Sequence, residues 1–127
     1  MSTEGKHHEK RKIEKLDSGS HREEKNGKGR MDLLPSRALI EVSKQLEKGS
    51  LKYGAKDWLK GGIPQSNLLD SAIRHLLQYM SNQNDEDHLV ASATNILQMI
   101  EQEELIKEGK LSKELNNLEW QNNLQKN

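Results

Sequence analysis

Apolar side chains recur every three to four residues in three segments of the chain, which is the spacing of one helix face. The first segment follows Asp32, which can cap a helix, and Pro35, which is tolerated in a first turn. It ends at Gly49, a residue suited to a C-terminal cap. Its apolar positions are Leu39, Val42 and Leu46.

Two further segments have the same spacing. Ser66 can cap the second, and the third extends from about Glu86 to Lys107 before Gly109. Their apolar positions are Leu68, Leu69, Ala72, Ile73, Leu76, Leu77 and Met80, then Leu89, Ala93, Ile96, Leu97 and Ile100. A weaker repeat closes the chain, with Leu111, Leu115, Leu118 and Leu124. With no strand-length alternation, the pattern predicts an all-α fold of three to four helices.

Residues 1–30 differ from this pattern. They contain nine Lys or Arg, six Asp or Glu, and only Met1, Ile13 and Leu16 as large apolar side chains. Such a segment buries too little apolar surface to offset its ordering entropy. We therefore expect a mostly disordered tail at 1–30 and a helical domain at 31–127.

Composition narrows the function. Hydrophobic residues make up 31% of the 127 residues and phenylalanine is absent, which predicts a thin core completed by a homo-oligomer. The absence of cysteine excludes disulfides, thiol catalysis and thiolate zinc sites. The net charge of zero does not favour duplex nucleic acid or membrane surfaces. No apolar run suits a bilayer span or a signal peptide, so a cytoplasmic protein is expected.

Histidines and carboxylates flank the junction of the second and third helices. A short break makes these helices antiparallel neighbours, so His75 can approach Asp87 and His88. Histidine and carboxylate at such a seam predict a site for Mg²⁺ or Mn²⁺. The alternative is that both polar faces are ordinary solvated surface, with Asp70 and Arg74 forming an i,i+4 pair.

Two other stretches have the composition of a nucleotide site. In "NGKGRMD", glycines expose backbone N–H groups beside Lys28 and Arg30, ahead of a helix N-terminus that attracts anions. Lys52, Tyr53 and Trp58 offer a cationic and stacking wall for a base. The alternative for the first stretch is a flexible charged hinge. The alternative for the second is that its aromatic side chains simply pack within their loop.

Four blocks resemble, in order, the dATP/dGTP diphosphohydrolase N-terminal family of tailed phages and prophages: "SGSHREEKNGKGRMDLLPSRAL", "LEKGSLKYGAKDW", "LLDSAIRHLLQYM" and "DEDHLVASATNILQMIE". The resemblance implies a phage or prophage origin, a purine nucleotide ligand and kinship with all-α nucleotide pyrophosphohydrolases. The motif residues that it carries over are Ser18, Gly19, Arg22, Lys28, Gly29, Arg30, Asp32, Lys52, Tyr53, Gly54, Trp58, Asp70, Arg74, His75, Asp87, His88 and Asn95.

The chain departs from the family pattern at three places. Asp57 stands where asparagine is usual, and Thr94 stands where an aromatic residue often precedes Asn95. Glu101 and Glu104 have the first spacing of the pyrophosphohydrolase ExxE…ExxD motif, but no downstream partner follows.

The leading hypothesis is a metal-dependent enzyme that cleaves a purine deoxynucleoside triphosphate into monophosphate and pyrophosphate. The metal ligands would be Asp70, His75, Asp87 and His88, with Asp87, Glu86 and His75 as the catalytic groups. Nucleotide-binding groups would be Arg22, Lys28, Gly29, Arg30, Asp32, Lys52, Tyr53, Trp58, Arg74 and Asn95. The alternatives are a non-catalytic protein that sequesters a host signalling nucleotide, or a small structural or regulatory phage protein. A phage-encoded chain would act in the host cytoplasm.

Overall fold

The computed structural model describes residues 12–23 and 27–119. The chain divides into two compact units, of which the first ends at Leu34 and the second begins at Pro35. Of the mostly disordered tail expected at residues 1–30, residues 1–11 and 24–26 lie outside the described residues, and so does any helix around Leu124.

The described part of the first unit contains a short antiparallel hairpin, which the hydrophobic pattern did not predict. Strand β1 (Ile13–Lys15) pairs with β2 (His21–Glu23). The connecting turn closes with a 2.7 Å bond from the Leu16 N–H to the Ser20 carbonyl, and Gly19 there has a φ of 91°. Strands of three residues are too short for an alternation signal, so only the glycine turn marked them.

Helix α1 extends from Ser36 to Tyr53, further than the apolar repeat indicated. Asp32 lies in a 3-10 turn, Met31–Leu33, and the residue that precedes the helix is Pro35. Gly49 is inside α1, so its assignment as the C-terminal cap was wrong. Gly54 ends the helix with a φ of 95° while its N–H donates to the Ser50 carbonyl.

Helix α2 extends from Gln65 to Met80, and its N-cap is Pro64 rather than Ser66. Ser66 is already inside the first turn. Its N–H donates to Asn117 Oδ1 at 3.0 Å, and its hydroxyl accepts from Asn117 Nδ2 at 2.8 Å. A side chain from distant sequence therefore satisfies part of this helix start, which no local pattern predicts.

Helix α3 extends from His88 to Lys107, close to the predicted limits. Asp87 is its N-cap, and the Asp87 carboxylate accepts from the Val90 N–H at 3.1 Å. Gly109 follows the helix with a φ of 75°, the left-handed conformation expected of a glycine that ends a helix. Beyond it, the described residues form a 3-10 turn, Lys113–Leu115, in place of a fourth helix that starts near Leu111.

Helices α2 and α3 are antiparallel, which confirms the all-α hairpin expected from the short break. Paired contacts run in opposite directions along them, from His75–His88 through Ala72–Ser92 to Gln65–Gln102. The small residues Ala91, Ser92 and Thr94 are buried, and the Ser92 hydroxyl donates to the Ala72 carbonyl at 2.8 Å. Helix α1 packs against α3.

The core of the described residues is thin, as the composition predicted. Its buried hydrophobic side chains are Val42, Leu68, Ala72 and Ala91. Most other apolar positions of the predicted stripes stay about half-exposed, including Ile73, Leu77, Leu89, Ile96 and Ile100, and Met80 is more exposed still. None of the helices in the described part of the chain combines the length and apolar character needed to cross a bilayer.

Candidate functional site

Two histidines meet where the α2–α3 hairpin opens toward its turn. His75 is on the last turns of α2 and His88 is the first residue of α3, and their Nδ1 atoms are 2.9 Å apart. A contact this short needs one proton between the two nitrogens, so one ring donates and the other accepts. The His88 side chain is 1% exposed and that of His75 is 15% exposed. The sequence prediction that His75 approaches His88 is therefore confirmed.

Glu86 completes a group that can hold a metal ion. Its Oε1 lies 4.0 Å from His75 Nδ1, and one ligand atom each from His75, Glu86 and His88 lie within 4.8 Å of one another. Two imidazole nitrogens and a carboxylate oxygen are suitable ligands for a divalent transition metal. The turn between α2 and α3 places Glu86 there because Asp87 fixes the helix start directly after it.

Asp85 belongs to the same cluster, although the sequence analysis did not single it out. Its Oδ1 lies 2.6 Å from His88 Nε2, and this hydrogen bond is the main cause that lowers the pKa of Asp85. Its position three residues before a histidine was the available signal. That signal was hidden by Glu86 and Asp87, two further acids between it and His88.

The two other acids predicted as ligands make different contacts. Asp87 caps α3 through the Val90 N–H, and Asp70 pairs with Arg74 at 3.0 Å on the exposed side of α2. Neither belongs to the group formed by His75, Glu86 and His88. The Asp70–Arg74 pair predicted from i,i+4 spacing is present.

A pocket of about 870 Å³ lies within the second unit, a volume typical of small-molecule sites. The end of α1, the segment from Gly54 to Ile63, and the facing sides of α2 and α3 form its walls. Three residues predicted for nucleotide binding, Tyr53, Trp58 and Asn95, line it. Lys52 is adjacent, with its ammonium 5.3 Å from the centre of the Tyr53 ring.

The pocket and the histidine cluster share the α2–α3 seam. In the pocket wall, Asn95 Nδ2 donates to Ser71 Oγ at 2.7 Å. Ser71 precedes His75 by four residues on α2, and Asn95 follows His88 by seven on α3, so each pair shares one helix face. At a rise of about 1.5 Å per residue, the two places are separated by roughly 6–10 Å along the helices.

The segment that carries Trp58 is fixed by a buried glutamine pair that the sequence analysis missed. Gln102 Oε1 accepts from the Ile63 N–H at 2.7 Å, and its Nε2 donates to the Ile63 carbonyl and to Gln65 Oε1. Gln102 is 0% exposed and Gln65 is 1% exposed. Gln102 lies on the polar face of α3, opposite Leu89 and Ile96, so the hydrophobic pattern gave no signal for this contact.

The remaining predicted residues lie in the first unit. Arg30 forms a two-bond pair with Asp32 at 2.7 and 3.0 Å, and this pairing lowers the pKa of Asp32 and raises that of Arg30. Gly29 has a φ of 84°, Lys28 is exposed beside it, and Arg22 donates to the His21 carbonyl. Any phosphate bound by Arg30 competes with Asp32.

No curated protein and no solved structure matches the chain significantly. One protein-family model does match, and its description is dATP/dGTP diphosphohydrolase, N-terminal. The match covers residues 18–111, well over half of the 127 residues, and includes the hairpin strand β2, all three helices and the histidine cluster. The chain therefore belongs to the dATP/dGTP diphosphohydrolase N-terminal family.

Proposed function

We propose that this protein binds a purine deoxynucleoside triphosphate and hydrolyses it to the monophosphate and pyrophosphate with a divalent metal. The observation that best supports this proposal is that two features share the α2–α3 seam. One is a pocket lined by aromatic and amide side chains, and the other is the His75, Glu86 and His88 group beside it. Family membership supports the substrate class. The protein would thus bring a base site and a metal site within reach of one nucleotide.

The pocket is proposed as the base site. Tyr53 and Trp58 supply flat apolar surface, and Asn95 supplies an amide fixed by Ser71. Aromatic faces stack on bases, while amide groups suit the donor and acceptor edge of a purine. Lys52 beside Tyr53 adds positive charge at the rim.

The histidine cluster is proposed as the metal site, with His75, Glu86 and His88 as ligands in place of the set that included Asp70 and Asp87. Of the two cations predicted, Mn²⁺ fits better, because Mg²⁺ prefers an all-oxygen shell and this group offers two imidazoles. A bound metal would polarise phosphoryl oxygens and activate water. With the base of a nucleotide bound in the pocket, its phosphates would extend along the α2–α3 seam toward His75, Glu86 and His88.

Subunit association is part of this proposal. Only four hydrophobic side chains of the described residues are buried, while α2 and α3 each carry a half-exposed apolar stripe. The small residues of α3, such as Ala91 and Ser92, pack on α2 of the same chain, so the surface left for a second copy is the apolar stripes. A homo-oligomer would supply the burial that one chain lacks.

The test is incubation with each of the four deoxynucleoside triphosphates and Mn²⁺ or Mg²⁺, with products and retained ligand separated by anion-exchange chromatography. We expect monophosphate and pyrophosphate from dATP or dGTP, with Mn²⁺ more effective. His75→Ala and His88→Ala should abolish turnover. His21→Ala, a histidine of the hairpin, is the matched control and should retain it.

A nucleotide-sequestering protein is the second candidate. The observation that favours it is the single carboxylate in the metal-ligand group, since Asp85 bonds His88 and Asp87 caps α3. Two-metal hydrolysis of phosphoanhydrides needs more carboxylates than this. Retained purine nucleotide without any product would favour sequestration over hydrolysis.

A further inference from the structure

Asp85 makes a contact that neither surface solvation nor helix capping explains. Its carboxylate is 68% exposed, yet it lies 2.6 Å from Nε2 of an imidazole that is 1% exposed. Exposed ion pairs contribute little to stability because water screens both partners. Here one partner is buried, so the contact determines the state of that buried ring.

The contact fixes which nitrogen of His88 carries the proton. An ionised carboxylate only accepts hydrogen bonds, so the Asp85 oxygen requires a proton on Nε2. In the neutral ring, Nδ1 then carries a lone pair, which accepts a hydrogen bond from His75 Nδ1 in the metal-free protein and can bind a metal in its place. This is the atom that lies 2.9 Å from His75 Nδ1, which in turn lies 4.0 Å from Glu86 Oε1.

We infer that Asp85 is a positioning residue, which holds His88 in the tautomer and orientation that present Nδ1 as a metal ligand. This inference rests on the metal site of the proposed function. Metal-binding histidines commonly donate their other ring N–H to a carboxylate, and loss of that partner lowers metal affinity. Asp85 thereby differs from Asp87, two residues later, whose carboxylate accepts from the Val90 backbone N–H.

The experiment has a readout without metal and one with it. In the metal-free full chain, long-range ¹H–¹⁵N correlation spectra of the imidazoles should show His88 protonated on Nε2. Asp85→Ala should lose this single tautomer and show exchange between the two forms. Wild-type His88 protonated on Nδ1 would overturn the inference, whatever the metal does.

Calorimetric titration with Mn²⁺ is the second readout. Wild type should bind Mn²⁺, His88→Ala should not, and Asp85→Ala should bind roughly 10–100-fold more weakly. Asp87→Asn is the matched control, because it removes a neighbouring carboxylate and should leave the affinity unchanged. Circular dichroism should show the same helical content in Asp85→Ala and wild type.

The two proposals fail in distinguishable ways. If wild type and Asp85→Ala bind Mn²⁺ with equal affinity while His88→Ala does not bind it, the inference is overturned and the metal site stays in place. Absence of Mn²⁺ binding by wild type would overturn the metal site and with it the role of Asp85. Equal weakening in Asp85→Ala and Asp87→Asn would assign the effect to lost negative charge and overturn the inference as well.

Discussion

Three consecutive acids, Asp85, Glu86 and Asp87, direct their carboxylates to three different partners. Asp85 contacts His88 Nε2, Glu86 lies near His75, and Asp87 accepts from the Val90 N–H. The start of α3 at His88 sets this division, because the capping residue must face the first turn. Adjacent residues of the same chemical type thus receive different functions from one helix boundary.

The first prediction at this scale concerns the cap. Asp87→Ala removes the acceptor for the Val90 N–H and should lower the free energy of unfolding by about 1 kcal/mol. Chemical denaturation of both proteins measures this. Asp70→Ala, which breaks only the exposed pair with Arg74, should cost less, about 0.3–0.5 kcal/mol. Equal losses in the two variants would contradict the capping role.

Two glycines provide a second prediction with opposite signs. Gly62 has a φ of 80°, and a Cβ there would lie 2.5 Å from Leu115 Cδ1, so Gly62→Ala should destabilise by about 1–3 kcal/mol. Gly49 lies inside α1, and a Cβ there meets nothing within 4 Å. Gly49→Ala should therefore stabilise by about 0.5–1 kcal/mol. Thermal and denaturant unfolding measure both; a stabilising Gly62→Ala would contradict the close contact.

At the scale of elements, the segment between α1 and α2 depends on α3 for its position. Gln102 holds Ile63 through both backbone groups and also contacts Gln65, which donates to the Met99 carbonyl. A buried network of this kind is stable only when every polar group has a partner. Since the segment ends at α2 and lines the pocket, the glutamines connect core packing to the proposed base site.

The third prediction follows from that network. Gln102→Ala leaves the Ile63 N–H and carbonyl without their partner, and should lower the free energy of unfolding by about 1–3 kcal/mol. Purine nucleotide binding should weaken as well, because the pocket wall loses its anchor. Glu103→Ala, exposed on the same helix, should stay within about 0.5 kcal/mol of wild type. Isothermal calorimetry and denaturation read both effects; unchanged stability in Gln102→Ala would contradict the anchoring role.

The sequence predicted helices well where a long apolar repeat was present, and poorly at their ends. Periodicity placed α2 and α3 and their antiparallel pairing, because both depend on local spacing and a short connection. The start of α2 depends on Asn117 and the extension of α1 depends on Gly54. The first is a long-range contact, and the second is a choice between Gly49 and Gly54 as the helix end. Neither alters the apolar repeat from which the helices were predicted.

The candidate site was likewise predictable only where it depends on local residue spacing. His75 and His88 meet because the helix hairpin brings them together, and residue spacing was sufficient to infer that. Which acid joins them was not predictable, because the choice among Asp85, Glu86 and Asp87 depends on the residue at which α3 begins. The glutamine network could not be predicted either, since its partners are 34 to 39 residues apart.

At the scale of the whole molecule, the distribution of apolar surface points to association. On α2, Ile73, Leu77 and Met80 share one face and are 50%, 57% and 77% exposed. On α3, Leu89, Ile96 and Ile100 form a similar stripe. Isolated exposed apolar residues are ordinary, but apolar stripes on two adjacent helices are typical of interaction surfaces, which supports the proposal that a second copy covers them.

The last prediction tests this surface directly. Wild type should be a homo-oligomer at micromolar concentration by size-exclusion chromatography with light scattering. The double variant Ile73→Lys with Leu77→Lys should give a smaller species, because charge on the stripe opposes burial against a second copy. Its helical content should remain, since half-exposed lysines can keep their ammonium groups in water. Gln83→Lys, an exposed residue of the α2–α3 turn, adds the same kind of charge without removing apolar surface and should leave the mass unchanged. A monomeric wild type at high micromolar concentration, or a double variant of unchanged mass, would refute the assignment of this face to a second copy.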